Sequence, residues 1–318
     1  MKHIKNICFE GGGVKGVGLC GAAIYLDEIG EWEGIERFAG SSAGAIFALM
    51  ASLGYKPKEI KEIFYSVDFT KFRDDESYYR KCRNLLGKYG IYSGRYFEGF
   101  IKDLIQDKLK KEDATFIDMY NKGLKNLFIV TSNISTYFSN ILSLSTTPNL
   151  ELWKAVRMSM AIPFYFTQFK QETIITNDQG KEELKECWFS DGGVFNNYPI
   201  RLFDDPRFTY PDINGSYFND QTIGFKLETK DKIDILLNKK YPRYHNIRNI
   251  VEYTERLINS LMNNQDDYFR SEDDWKRTIF IDTLGIQTTD FDINLQKKNL
   301  LIESGYKGAI KFFEEKYK

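Results

Sequence analysis

The chain is poor in histidine and cysteine. Its 318 residues include only two histidines, His3 and His245, and four cysteines, Cys8, Cys20, Cys82 and Cys187. The cysteines stand at no spacing that suits a zinc site or a disulfide scaffold, which argues against both and fits a reducing compartment. With so few imidazoles, the usual general base is missing from most of the chain. An excess of one charge is missing too. The 44 Lys and Arg against 45 Asp and Glu leave a net charge of −1, which gives no electrostatic case for nucleic acid. No apolar run approaches the ~18 residues needed to cross a bilayer. Lys2 and Lys5 precede no apolar stretch of the kind a signal peptide carries. A cytoplasmic protein is expected, with any membrane contact peripheral.

Aromatic residues, by contrast, are abundant, at 20 Tyr and 25 Phe. They make either an aromatic core or an apolar contact surface. The length fits one large domain, read here as 1–318 with a charged, mostly helical insertion over 228–274. No internal repeat or low-complexity tract interrupts it.

The stretch from Ile4 to Met50 organises the rest. Ile4–Phe9 is a short apolar run suited to a buried strand. Gly11, Gly12 and Gly13 follow, and then a helical pattern carries Leu19, Ala22, Ala23, Leu26 and Ile29 on one face. Ile35–Ala39 returns as a second strand and ends in Gly40-Ser41-Ser42-Ala43-Gly44, which opens another apolar helix. A Gly-x-Ser-x-Gly turn between strand and helix is the pattern of a nucleophile elbow. Its small neighbours make room for a tight turn that pushes the central hydroxyl out at a helix N-terminus. Ser42 is therefore the candidate nucleophile, and Ser41 and Ser52 read as ordinary backbone-bonded hydroxyls.

Gly11-x-Gly13-x-x-Gly16 also fits a dinucleotide-binding loop, but that reading wants a carboxylate at the end of the second strand, where Ala39-Gly40-Ser41-Ser42 stands. A P-loop is excluded because Val17 follows Gly16 where Lys is required. The remaining use of such a loop is an oxyanion hole, in which bare backbone N–H groups of Gly11, Gly12 and Gly13 converge on one oxygen. Parallel strands joined by one helix place this loop beside the elbow, which favours acyl transfer.

Further along, Pro57–Val67 reads as a helix and Phe69–Gly94 as an irregular connection rich in Tyr, Arg and Lys. A helix begins at Ser93, Thr115-x-x-Asp118 reads as a capping box, and Leu127–Ile134 and Thr136–Leu144 read as consecutive strands. Asn149–Met160 is an amphipathic helix. Phe164-Tyr165-Phe166 with Phe169 forms either an exposed aromatic cluster or a core strand. Gln171–Glu186 reads as a polar loop or hairpin tip, and Cys187–Ser190 as a strand running into Asp191-Gly192-Gly193. Thr222–Leu227 and Thr278–Thr283 complete the strands, and a final helix covers Leu295–Phe313, with Gly305 as an interruption.

Serine needs a base. His3 precedes the first strand, at the wrong end for a site on the C-terminal edge. Ser42, Asp191 and His245 follow the chain order of an α/β-hydrolase triad, but that fold does not place a glycine loop one βα unit before its elbow. A dyad in which Asp191 takes the Ser42 proton directly is the main reading, helped by any burial that raises the carboxyl pKa. A Ser–Asp–His esterase using His245 is the alternative.

These residues resemble the patatin-like phospholipases. Gly11-Gly12-Gly13-Val14-Lys15-Gly16, Gly40-Ser41-Ser42-Ala43-Gly44, Arg157-Met158-Ser159-Met160-Ala161-Ile162-Pro163 and Asp191 through Pro199 carry the likeness in order. The stretch from Thr283 to Phe291 is similar to the ending of many microbial members. The resemblance covers Lys5–Leu202 and roughly the last forty residues. It implies an α/β three-layer sandwich with a central, mostly parallel sheet and helices on both faces. It also implies metal-free and cofactor-free hydrolysis of acyl esters in phospholipids or other lipids. By match, Ser42 is the nucleophile, Asp191 the base, and Gly11, Gly12 and Gly13 the oxyanion hole. Peripheral membrane contact would follow from such a substrate, and the insertion leaves room for a protein activator or a homo-oligomer contact. The chain departs from the family pattern at Lys15, where Arg is more common, and in the insertion, which carries no shared motif. The non-enzyme alternative is a lipid- or nucleotide-binding module that keeps the fold without the chemistry.

Overall fold

The computed structural model describes residues 3–316, apart from 75–76, 177–178, 210–217, 239–245, 250–251, 254–255, 258–259 and 262–270. The first strand, β1 (Asn6–Phe9), is buried at every position and pairs in parallel with β2 (Arg37–Ser41) on one side and β9 (Thr222–Glu228) on the other. Strands covered on both faces read as continuous apolar runs, which is why this segment shows no alternation. Beyond β9 lies β10 (Thr278–Asp282), and beyond β2 lies β4 (Asn126–Asn133), both parallel to their neighbours. On the far side of β4 the sheet turns antiparallel through β8 (Glu182–Ser190) and β7 (Phe169–Thr176), with β5 (Phe138–Ser143) also paired to β4. The result is an eight-stranded mixed sheet whose five parallel strands form one block.

Side chains alternate across that block. Ile7, Phe38 and Ile129 face the larger core, which holds α1 (Leu19–Glu28), α2 (Ala43–Ser52) and the C-terminal helix Leu295–Lys316. Cys8, Ala39 and Phe128 face the other way, onto Tyr198, Ile200, Leu202 and Phe203 from the segment after β8. Period-two geometry thus splits one sheet between two cores and gives an α/β three-layer arrangement.

The expected capping box is present at α6 (Phe116–Asn121). The Thr115 N–H donates to Asp118 Oδ2 at 2.9 Å, and the Asp118 N–H donates back to Thr115 Oγ1 at 3.4 Å. Two expectations are corrected. Phe69–Gly94 is not irregular: it holds a 3₁₀ turn at Phe69–Arg73, α4 (Tyr78–Lys88) and the short strand β3 (Gly90–Tyr92). Ser77 caps α4, its hydroxyl accepting the Arg80 N–H at 3.5 Å; Tyr78, Tyr79, Cys82, Leu85 and Leu86 recur at helical spacing, but they are interleaved with Arg and Lys and most of the helix lies exposed. Gln171–Glu186 is likewise mostly strand, because β7 and β8 pair from Phe169–Phe189 out to Thr176–Glu182. Its side chains stay polar because that arm of the hairpin stands largely in solvent. The aromatic run at β6 (Phe164–Phe166) is divided, with Phe166 buried against Phe97 and Phe164 exposed. Within the insertion, α9 (Lys230–Asn238) and the helix Glu272–Lys276 are described. Ile250, Val251 and His245 lie outside the described residues.

Candidate active site

The backbone at Ser42 is strained, with φ 52° and ψ −126° between β2 and α2. A non-glycine residue held there costs on the order of 1–3 kcal/mol and persists only where the surroundings impose it. The surroundings are tight. A Cβ on Gly40 would come within 2.1 Å of the Gly44 carbonyl oxygen, and one on Gly44 within 2.4 Å of that of Phe9. Neither position admits a side chain, which is the physical content of the two glycines flanking the serine.

The sheet register brings the carboxylate to this turn. Ser190 lies opposite Ser132 at the end of the antiparallel β8. The next residue, Asp191, therefore runs back towards Val130, which pairs with Ser41. The Ser42 hydroxyl donates to Asp191 Oδ2 at 2.7 Å. The other carboxylate oxygen, Oδ1, accepts the Gly193 N–H at 2.8 Å, and the Asp191 N–H donates to the Ala161 carbonyl at 2.9 Å. Both Ser42 and Asp191 are 0 % exposed. Burial pushes the Asp191 carboxyl up to about 7, against the hydrogen bonds from Ser42 and Gly193, which pull it down.

Of the three loop glycines, Gly11 lies directly beside Ser42, but its backbone is already engaged. Its N–H donates to the Asn197 carbonyl at 3.0 Å, and its carbonyl accepts from Asn197 Nδ2 at 3.1 Å. The N–H groups of Gly12 and Gly13 meet no acceptor among the described residues. Beneath the loop, Glu10 accepts from Lys226 Nζ at 2.8 Å and from the Leu227 N–H at 2.6 Å. Lys15 is buried in the field of Glu228 and Glu10; burial lowers its pKa and these two carboxylates oppose that. His3 is exposed at the N-terminal end of β1, away from the site.

Two further residues hold the site and were not singled out from the sequence. Ser159, the last residue of α7 (Leu152–Ser159), accepts the Ser42 N–H at 2.9 Å and donates to the Val130 carbonyl at 2.6 Å. Asn197 clamps Gly11 as described. Both sit inside the motif stretches Arg157–Pro163 and Asp191–Pro199. A hydroxyl near the end of a predicted helix and an amide in the loop after a predicted strand were the signal available. Ser41 donates to the Asn196 carbonyl at 2.7 Å and ties the elbow to that same segment. Among the described residues, no group of three or more His, Cys, Asp or Glu is placed to hold a metal ion.

The chain thus combines a mixed α/β sheet with a strained serine elbow, a buried carboxylate on its hydroxyl and a glycine loop alongside. The family model described as patatin-like phospholipase matches residues 7–204, and the chain belongs to that family. It is 31 % identical over 314 residues to protein R571 of Acanthamoeba polyphaga mimivirus, covering 96 % of this chain and 93 % of that one. It is 28 % identical over 203 residues to a probable lipid hydrolase, 463L, of Invertebrate iridescent virus 6, covering 63 % of each chain. In fold it is similar to VipD from Legionella pneumophila, with a TM-score of 0.57 at 18 % identity, covering 98 % of this chain and 67 % of that one. Among the described residues no helix is long and apolar enough to cross a membrane.

Proposed function

We propose that the protein is a lipid acyl hydrolase that cleaves fatty-acyl esters, phospholipids foremost, through a Ser42–Asp191 dyad and an acyl-enzyme. The observation that carries this reading is the 2.7 Å hydrogen bond from a strained, buried serine to a carboxylate with a raised pKa. A carboxyl near 7 is a competent base at neutral pH, where an ordinary one is too weak. Ser42 Oγ attacks the ester carbonyl carbon as its proton passes to Asp191 Oδ2. The oxyanion that forms is held by the open N–H groups of Gly12 and Gly13. Collapse breaks the ester C–O bond, and the departing alcohol oxygen takes the proton from Asp191. Water then attacks the acyl-enzyme, giving its proton to Asp191, and Ser42 is regenerated as the fatty acid leaves. Family membership and the named lipid hydrolase among the relatives support the substrate class. Because both reacting groups are sealed from solvent, the ester reaches them only after the surface above them parts. Contact with a lipid interface is a fitting trigger.

An alkyl fluorophosphonate probe tests the reading directly. Covalent labelling is expected in the presence of mixed phospholipid vesicles and is expected to vanish in Ser42→Ala. Fatty-acid release should vanish in Ser42→Ala and in Asp191→Asn, and should persist in His245→Ala. Labelling that survives Ser42→Ala, or hydrolysis that survives Asp191→Asn, defeats the proposal.

A further inference from the structure

A cavity of about 610 Å³ lies among α4, the start of α5 (Arg95–Leu109), β7 and β8. Six cationic side chains, Arg80, Arg83, Lys88, Arg95, Arg157 and Lys170, stand in its wall against one carboxylate, Glu98. Glu98 is paired with Lys102 at 3.2 Å, and Lys170 with Glu186. Among the described residues no carboxylate lies within ion-pair distance of Arg80, Arg83 or Lys88. The wall is strongly positive in a chain whose net charge is −1.

Arg157 gives this charge a direction. It is only 4 % exposed. Its Nη2 donates to the carbonyls of Ser93 at 2.9 Å and Thr167 at 2.8 Å and to the Thr167 hydroxyl at 3.0 Å. Its Nη1, also buried, has no acceptor among the described residues. No carboxylate there forms an ion pair with it; Glu98 and Asp74 act on it at longer range. A buried guanidinium with an unused donor is a standing cost to the fold that an anion offsets, and its planar fork suits phosphate oxygens.

We propose that this cavity is a phosphate-binding site, in which a phosphoryl group sits between the α4 cations and Lys170, above the Arg157 guanidinium. The neutral wall residues Asn84, Ser93 and Gln168 border the same space. α4 also exposes Tyr78, Tyr79 and Leu86, and Tyr89 follows it, packed edge-on against Trp188 of the cavity wall. Of these, Tyr89 adjoins the cavity through Trp188, whereas Tyr78, Tyr79 and Leu86 fall by helical spacing on the face of α4 opposite Arg80, Arg83 and Lys88. A phosphorylated lipid headgroup and a soluble phosphate compound share this chemistry. None of the wall residues hydrogen-bonds Ser42 or Asp191, so the inference does not rest on the hydrolase reading.

The test uses the full chain. Inorganic phosphate is titrated calorimetrically in a chloride buffer of matched ionic strength. Sedimentation is followed with phosphatidylcholine vesicles with and without phosphatidic acid. The variant is Arg83→Gln combined with Lys88→Gln, both exposed positions, checked for an unchanged melting temperature. Phosphate binding that weakens by about tenfold or more in this variant is expected, from the loss of charge-assisted hydrogen bonds. Co-sedimentation that requires phosphatidic acid, falls in the variant and is competed by phosphate assigns the site to a lipid headgroup. Phosphate binding that falls in the variant without vesicle binding assigns it to a soluble phosphate compound. Absence of both kinds of binding, or binding undiminished in the variant, overturns the proposal.

Discussion

Replacing Asp191 with Asn should abolish hydrolysis and at the same time make the protein more stable. In the wild type, burial moves this carboxyl from an ordinary 3.8 to about 7. Its folded form therefore holds a proton more tightly than its unfolded form does. Folding is favoured by this group at low pH, and that contribution is lost as pH rises from about 4 through about 7. The full interval corresponds to about 4 kcal/mol, a ceiling reached when the carboxylate is ionised in its sealed site. Asparagine has nearly the same shape and no charge. Its Oδ1 can keep the Gly193 N–H, and its amide can donate to the Ser42 hydroxyl, so the hydrogen bonds at this point survive in a new arrangement. The stability gap in favour of Asp191→Asn should therefore be about 2 kcal/mol near pH 5 and about 4 kcal/mol near pH 8. Urea unfolding of both proteins at the two pH values measures it, and contributions from all other titrating groups cancel in the difference. A gap that fails to widen with pH, or a variant less stable than wild type near pH 8, refutes the claim that a buried, ionised carboxylate faces Ser42.

Two further outcomes follow from the same geometry. The rate of fluorophosphonate labelling should rise with pH to a plateau above about 7, falling to about one-hundredth of it near pH 5, because only ionised Asp191 accepts the Ser42 proton. A profile flat over that range removes Asp191 as the base. Ser159→Ala should cost about 1–3 kcal/mol of stability, since it strips the Ser42 N–H of its buried acceptor, and it should slow labelling by loosening the elbow. Unchanged melting and labelling would deny Ser159 that positioning role.

Much of the site was legible because its parts are written as local constraints. Gly40 and Gly44 flank Ser42 because the turn's own backbone at Gly44 passes where a side chain on Gly40 would be, and that of Phe9 where one on Gly44 would be. Asp191 sits one residue beyond an apolar strand, and the strand's register does the rest. What stayed hidden depends on long-range contacts. Whether Gly11, Gly12 and Gly13 offer three donors or two is decided by Asn197, 186 positions from Gly11, taking the first of them. α4 escaped notice because its apolar stripe, Tyr78, Tyr79, Cys82, Leu85 and Leu86, is interleaved with Arg and Lys and stays largely exposed instead of joining the core. β7 and the outer half of β8 escaped because strands that leave the core need no alternation of hydrophobic residues. Gly305 read as an interruption, yet the C-terminal helix runs through it. A Cβ there would come within 2.0 Å of the Gly18 carbonyl oxygen, so this glycine serves packing between helices.

One physical circumstance ties the chemistry to the closed shape of the site. In the proposed mechanism the carboxylate is a useful base only because water is kept from it, and the same exclusion leaves Ser42 with no exposed surface. An arrangement that admitted solvent freely would return Asp191 towards its ordinary value and weaken it as a base at neutral pH. An arrangement that stayed shut would admit no ester. An apolar acyl chain resolves the conflict, because it can displace the covering side chains while still excluding water from the dyad. The burial seen here thus favours a substrate that brings its own hydrocarbon, and it disfavours small water-soluble esters, which would open the site without keeping it dry.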